Sequence, residues 1–346
     1  MKRFWQILSL VFLLGATISC NNEIELYPTN APEMLFVLGC LDGTGTLHQV
    51  KIRKLISGNL DAGQMINDPF YYLPDTSLRV FLEEPSGNQM QMKRVMHRPQ
   101  TAGVFAQDSN LFYALTGYNP SPDRTYLLRI ESQDTTKEIT AHLRSLKPVN
   151  FDYPTQESAL HVKYSFTDPK RPFQVIYSLQ AASILTISLK YVDIMANGDT
   201  ICRKANHILP ADFIPKPGGG KIFQLGYLWQ IFHRSIKDVP GVDLRMFYSF
   251  DFTVWTGDSA IANYLYFNEK FTDNRKQNYS NIDGGMGLFF ASSHAQLKNV
   301  RPYERFLSLL AMNDTTAHLK FSGFAYSGVY TDPDSSLVNP FLPVNQ

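Results

Sequence analysis

The chain has 346 residues, with 32 basic against 31 acidic side chains, 44% hydrophobic residues, 24 Phe and 18 Tyr. A balance this close to neutral removes the electrostatic case for binding nucleic acid. Three cysteines are too few for a disulfide scaffold, and no C-x-x-C or paired-histidine spacing marks a metal site.

The chain opens on Lys2 and Arg3, then runs FWQILSLVFLLGATI from Phe4 to Ile18. That apolar stretch is shorter than the roughly 20 residues a membrane-spanning helix needs. A basic start, a short apolar core and a small-residue end read as a secretory signal peptide over 1–19. Ser19 followed by Cys20 resembles a bacterial lipobox, where the signal is cut before a cysteine that then receives lipid. Thr17 stands where that motif most often has leucine. Acyl chains, at about 0.8 kcal/mol per buried CH₂, anchor a protein to a bilayer without spanning it. Residues 20–32, polar with Glu23, Glu25 and two prolines, read as an extended tether. The acidic pair resembles the signals that direct lipoproteins to the cell surface.

Removing residues 1–19 leaves 30 basic and 31 acidic residues in a length suited to two domains. Residues 33–148 read as short strands between turns. MLFVLGCL is bounded by DGTG, and LHQVKIRKLI alternates with Val50 and Ile52 on one face. SLRVFLEE and QMQMKRVM form a hairpin around Pro-Ser-Gly-Asn, and TYLLRIES pairs with KEITAHLRS. About seven short strands in roughly 115 residues predict an immunoglobulin-like β-sandwich. The stretch from Ser57 to Pro74 is a long insertion between strands, of the kind that often carries binding.

LKPVNFDYP closes this unit, and residues 149–346 read as a second β-rich domain with one or two short helices. HVKYSFTDP predicts a strand, and FQVIYSLQAASILTISLKYVDIM predicts two. VDLRMFYSFDFTVWTG alternates cleanly, which puts Leu244, Met246, Tyr248, Phe250, Phe252 and Val254 on one face. DSAIANYLYFNEKF predicts a helix capped by Asp258. HLKFSGFAYSGVY closes as a strand.

The stretches YLYFNEKF and NYSNIDGGMGLFFASS, with MLFVLGCLDG, ITAHLRSLKPVNFD and VKYSFTDP in that order, resemble a Bacteroidota outer-membrane lipoprotein family known only as a domain of unknown function. The resemblance covers most of the chain after the signal. It implies two β-rich domains, lipid on Cys20, an outer-membrane location facing the cell surface, and genes beside TonB-dependent transporters. It therefore implies a non-catalytic accessory or ligand-binding subunit of a nutrient uptake system. A structural or adhesive surface lipoprotein is the alternative. The family carries no established catalytic residues.

The chemistry-bearing motifs have plainer accounts. NIDGGMG precedes a strand, whereas a phosphate loop needs a helix after it, so Gly284, Gly285 and Gly287 read as a tight turn. GDSA at 257–260 lacks the D-x-x-H of the esterases it resembles, and Asp314 and His318 are spaced D-x-x-x-H. TDPDSS at 331–336 has too few ligands for Ca²⁺. No catalytic residue, cofactor or metal is expected. Cys40 and Cys202 read as two separate core thiols. Exposed aromatics that stack on sugars or peptides remain as candidate contacts: Tyr71, Tyr72, Tyr118 and Trp229.

Overall fold

A computed structural model describes residues 34–55, 78–97, 110–132, 138–168, 170, 172–178, 180–212, 220–270, 279–334 and 339–341. Residues 1–33, where a signal and a tether with Cys20 are expected, and the stretch carrying Tyr71 and Tyr72, lie outside the described residues. Strands make up 52% and helices 16%, so the protein is mostly β, as its aromatic and β-branched composition implies.

The first eight strands are β1 (Met34–Asp42), β2 (Leu47–Leu55), β3 (Leu78–Glu83), β4 (Gln89–Gln91), β5 (Lys93–His97), β6 (Asn110–Thr116), β7 (Thr125–Ser132) and β8 (Ile139–Arg144). They form two layers, β1-β2-β6-β5 and β4-β3-β7-β8. Lettered A, B, C, C′, D, E, F and G in chain order, these are the ABED and C′CFG sheets of an immunoglobulin-like sandwich. Alternation fills the space between them. Val37, Leu41, Val50 and Ile52 face Val80, Leu82, Leu128 and Ile130, all at most 5% exposed. Each such side chain contributes about 1.5–3 kcal/mol when taken out of water. Tyr126, at the start of β7, is 1% exposed, and its hydroxyl accepts from the Ser121 amide at 2.8 Å. This is the tyrosine corner of such sandwiches, bracing the link between E and F.

The remaining elements are β9 (Phe151–Tyr153), α1 (Gln156–His161), β10 (Lys163–Tyr164), β11 (Phe173–Tyr177), β12 (Ala182–Met195), β13 (Thr200–Ile208), β14 (Gly220–Phe223), α2 (Leu225–Ser235), β15 (Val242–Gly257), α3 (Ser259–Lys270), β16 (Met286–Pro302), α4 (Glu304–Met312), a 3₁₀ turn (Ala317–Leu319) and β17 (Phe321–Ala325). Strands β13-β12-β15-β16 continue directly into β1-β2-β6-β5, so one twisted sheet runs across residue 148 and serves both halves. The joint is the parallel pairing of β16 with β1, from Phe36–Met286 to Asp42–Ser292. Gly287 sits in it opposite Val37 at φ 121°, where an added Cβ would overlap the Val37 carbonyl. Only glycine fits that approach. The glycine-rich turn is therefore structural, with the Asn281 side chain bonded to both the amide and the carbonyl of Phe289.

The core of the second half is built on aromatic rings. Phe166, Phe173, Phe223, Phe232, Phe247, Phe250, Phe252 and Phe306 are each at most 4% exposed and stack in edge and tilted pairs. Strand β15 departs from simple alternation. Its pairing with β12 slips by one residue between Phe247 and Ser249, so Arg245 and Phe247 face inward before the bulge and Phe250, Phe252 and Val254 after it. Leu244, Met246 and Tyr248 are thereby left off the core face, because one inserted residue exchanges the two faces of a strand.

Four helices are found among the described residues, where the sequence suggested one or two. Helix α3 is the expected one, and Asp258 Oδ1 accepts from the amides of Ala260 and Ile261 at 3.1 Å, as its cap. The additional α2 and α4 bury Leu228, Trp229, Ile231 and Phe232, and Phe306, Leu307 and Leu310, at helical spacing. HVKYSFTDP contributes only two residues of strand, since His161 ends α1. Cys40 and Cys202 are both free thiols, Cys40 buried and Cys202 half-buried. They lie on β1 and β13, four strand spacings apart. At about 4.8 Å each, that is far beyond disulfide reach.

Candidate functional site

Residues 163–168 and the start of α4 lie side by side because β10 pairs in parallel with the end of β16, Lys163 with Arg301 and Tyr164 with Pro302. The Tyr303 amide then donates to the Tyr164 carbonyl at 3.0 Å. Extended backbone sorts the side chains by parity. Tyr164 and Phe166 go into the aromatic core at 7% and 2% exposure, while Lys163, Ser165 and Thr167 face the opposite way. On α4 the helical period does the same work. Phe306, Leu307 and Leu310 point inward, and Glu304 and Arg305 stay outside.

Between the two segments lies a cavity of about 710 Å³, lined by Lys163, Ser165, Thr167, Asp168, Tyr303, Glu304 and Arg305. Lys163 Nζ is 3.3 Å from Glu304 Oε1, and the Asp168 carboxylate accepts from the Lys170 amide at 2.8 Å. Two cations and two carboxylates cancel, so the walls offer donors and acceptors of both kinds without a net field. Tyr303 is half exposed, and its side chain makes no capping bond to the helix it precedes. The ring is thus available as a stacking plane. A cavity of this size, with convergent polar groups, suits a small or extended polar ligand.

A second hollow of about 350 Å³ is lined by Asp123, Arg144, Ser145, Lys147, Gln180, Asp258 and Ser259, among others. Its charged groups already have partners. Arg144 and Lys147 both face Asp123, at 2.8 and 3.8 Å. Asp258 accepts three backbone amides, the third from Ala291 at 2.9 Å. Burial outweighs those bonds and pushes its carboxyl up to about 6. Asp258 and Ser259 therefore start a helix and tie it to β16. His318, the other member of the esterase-like spacing, instead meets His233.

The aromatic candidates divide three ways. Tyr118 is a half-buried brace. Its hydroxyl lies 2.6 Å from Glu84 Oε1 and 3.1 Å from the Tyr126 hydroxyl, and its ring meets His48 edge-on. Trp229 is 7% exposed and stacks on Phe306 at 5.1 Å, inside the core. Tyr71 and Tyr72, like Cys20, lie outside the described residues. Of TDPDSS, the Asp332 carboxylate faces Lys190 and Lys204 at 3.7 and 3.4 Å, and Lys204 also donates to the Asp334 carbonyl. Lysine ammonium groups occupy the place a calcium ion would need. Among the described residues no group of three or more His, Cys, Asp or Glu is gathered for a metal, and no helix is long and apolar enough to cross a membrane.

The cavity was not legible in the sequence. Its two halves are separated by about 140 residues, and neither Lys-x-Ser-x-Thr-Asp nor Tyr-Glu-Arg is a motif. The signal within reach was parity: polar residues at 163, 165 and 167 alternate with Tyr164 and Phe166. No family model matches the chain, and no curated protein is similar to it.

Proposed function

We propose that the chain is a lipid-anchored outer-membrane lipoprotein whose folded part binds a polar ligand without turning it over, as an accessory subunit of a TonB-dependent uptake system. The observation that carries the binding reading is the charge-balanced cavity beside the half-exposed Tyr303 ring. Balanced charge disfavours nucleotides and other polyanions. Hydroxyls, carboxylates and ammonium groups around an aromatic plane suit a neutral polyhydroxylated ligand, and an oligosaccharide has both the hydrogen-bonding edges and the apolar faces to use them. The anchor rests on the signal-like opening that ends at Cys20 and on the family resemblance.

The test is gentle purification from outer membranes of the native host, followed by oligosaccharide titration of the purified protein. The expected result is a co-purifying TonB-dependent transporter and saturable binding that Tyr303→Ala weakens about tenfold, the loss expected for truncating a contacting aromatic ring. Replacing Cys20 with serine should release the protein from membranes. A protein recovered alone that binds no oligosaccharide would overturn the uptake reading in favour of a structural or adhesive role.

A further inference from the structure

Away from the cavity, the fold brings together two histidines that lie 85 residues apart in sequence. His233 closes α2 and His318 sits in the 3₁₀ turn after α4, with His233 Nδ1 3.3 Å from His318 Nε2 and the rings edge-on at 77°. Both side chains are exposed, while their neighbours Phe232 and Leu319 are at most 1% exposed. The backbones beneath them are held by one buried side chain. Arg245 donates from Nη2 to the Lys237 carbonyl and from Nη1 to the Leu319 carbonyl, each at 3.0 Å. The turn is further fixed by Lys320, at φ 57°, whose Nζ donates to the Val242 carbonyl at 2.7 Å. The two rings are thus carried on a braced frame, although no sequence spacing joins them.

Two imidazole nitrogens bound to one tetrahedral Zn²⁺ at about 2.0–2.1 Å stand about 3.3–3.4 Å apart. In the metal-free chain the two nitrogens share a hydrogen bond at that same separation; the donor ring can shift its proton to its other nitrogen, and exposed rings can turn so that both lone pairs converge. We propose that His233 and His318 form a two-histidine site for Zn²⁺ or a related divalent transition-metal ion, clipping the end of α2 to the turn that leads into β17. Among the described residues no third His, Cys, Asp or Glu completes the set, so water or an added ligand takes the other positions. Arg234 lies on α2, and Lys237 and Lys320 follow α2 and the 3₁₀ turn, outnumbering Asp238 and Asp314 of the same segments, so net charge does not draw the ion and the ring nitrogens must hold it. Such a site is weaker than a closed structural zinc site, and its clip is reversible.

The test uses tag-free, chelator-treated protein titrated with ZnCl₂ by calorimetry. One saturable site per chain is expected, and either His233→Gln or His318→Gln should weaken it tenfold or more. His161→Gln, a change at an exposed lone histidine, should leave it intact. On the unaltered protein, diethyl pyrocarbonate labelling with peptide mapping should show Zn²⁺ protecting His233 and His318 but not His161. This second measurement does not depend on how well any variant folds. Absence of saturable binding, binding that survives both glutamine variants, or labelling of the two histidines unchanged by Zn²⁺ would each overturn the site.

Discussion

Replacing Arg245 with methionine tests the energetics of the large sheet most directly. Arg245 is 1% exposed and Asp193 is fully buried, and Arg245 Nε lies 2.9 Å from Asp193 Oδ1. The same guanidinium satisfies the carbonyls of Lys237 and Leu319. Methionine keeps much of the volume but strands half of a buried carboxylate. Removing one partner of a buried pair costs about 3–5 kcal/mol, and each orphaned carbonyl adds about 1 kcal/mol where water does not reach it. Arg203 moderates the loss, because its Nε stays 3.0 Å from Asp193 Oδ2 while its side chain is 39% exposed. The net expectation is about 4 kcal/mol. In urea melts followed by the buried Trp229 and Trp255, with a slope of about 3 kcal/mol/M, the midpoint should fall by more than about 1 M. Asp193→Leu combined with Arg245→Met removes both charges and should recover most of that loss. A single variant within about 0.3 M of the parent, or a double variant no better than the single, would refute the view that the cost comes from an unpaired buried carboxylate.

Gly287→Ala should destabilise the protein by about 3 kcal/mol or more, since a Cβ at that positive φ must push β1 away from β16; a thermal melt within a degree or two of the parent would contradict this. Asp258 gives a pH dependence with a definite sign. Its folded-state value of about 6 lies above the ordinary 3.8, so as pH rises the unfolded chain gives up this proton first. The group's contribution is therefore fully present below about pH 4 and lost by the time pH passes about 6, a fall of about 3 kcal/mol. Asp258→Asn should flatten that part of the stability profile measured from pH 3.5 to 7, at a cost of about 1–3 kcal/mol because the amide cannot serve all three backbone donors.

Much of the architecture is written in local pattern. An apolar run bounded by a turn located β1, and alternation with turn residues located β2, the hairpin of β3 and β4, and the pair β7 and β8, although QMQMKRVM returns along β3 only as far as Gln91 before Lys93–His97 crosses to pair with β6. Asp258 ahead of an apolar period located α3, because capping is satisfied within a few residues. What local pattern could not supply was pairing at a distance. That β16 lies along β1, that the slip in β15 between Phe247 and Ser249 exchanges Leu244, Met246 and Tyr248 for Arg245 and Phe247 on the inner face, and that α2 folds as a helix despite its strand-like aromatic content are settled by packing against segments far away in the chain. The cavity follows the same rule. Lys163, Ser165 and Thr167 are ordinary polar positions until β10 docks on β16 and brings Tyr303 and Arg305 across from them. His233 and His318 become neighbours only when Phe232, Leu319 and Phe321 pack into one core, with Arg245 bonded to the Lys237 and Leu319 carbonyls beneath them. By itself the sequence determined the strands that alternate or end at clear turns and the helix capped by Asp258, since those depend on neighbours within a few residues. The tertiary structure alone decided which side chains meet, because meeting requires long-range backbone pairing, and its register is set by the whole buried face.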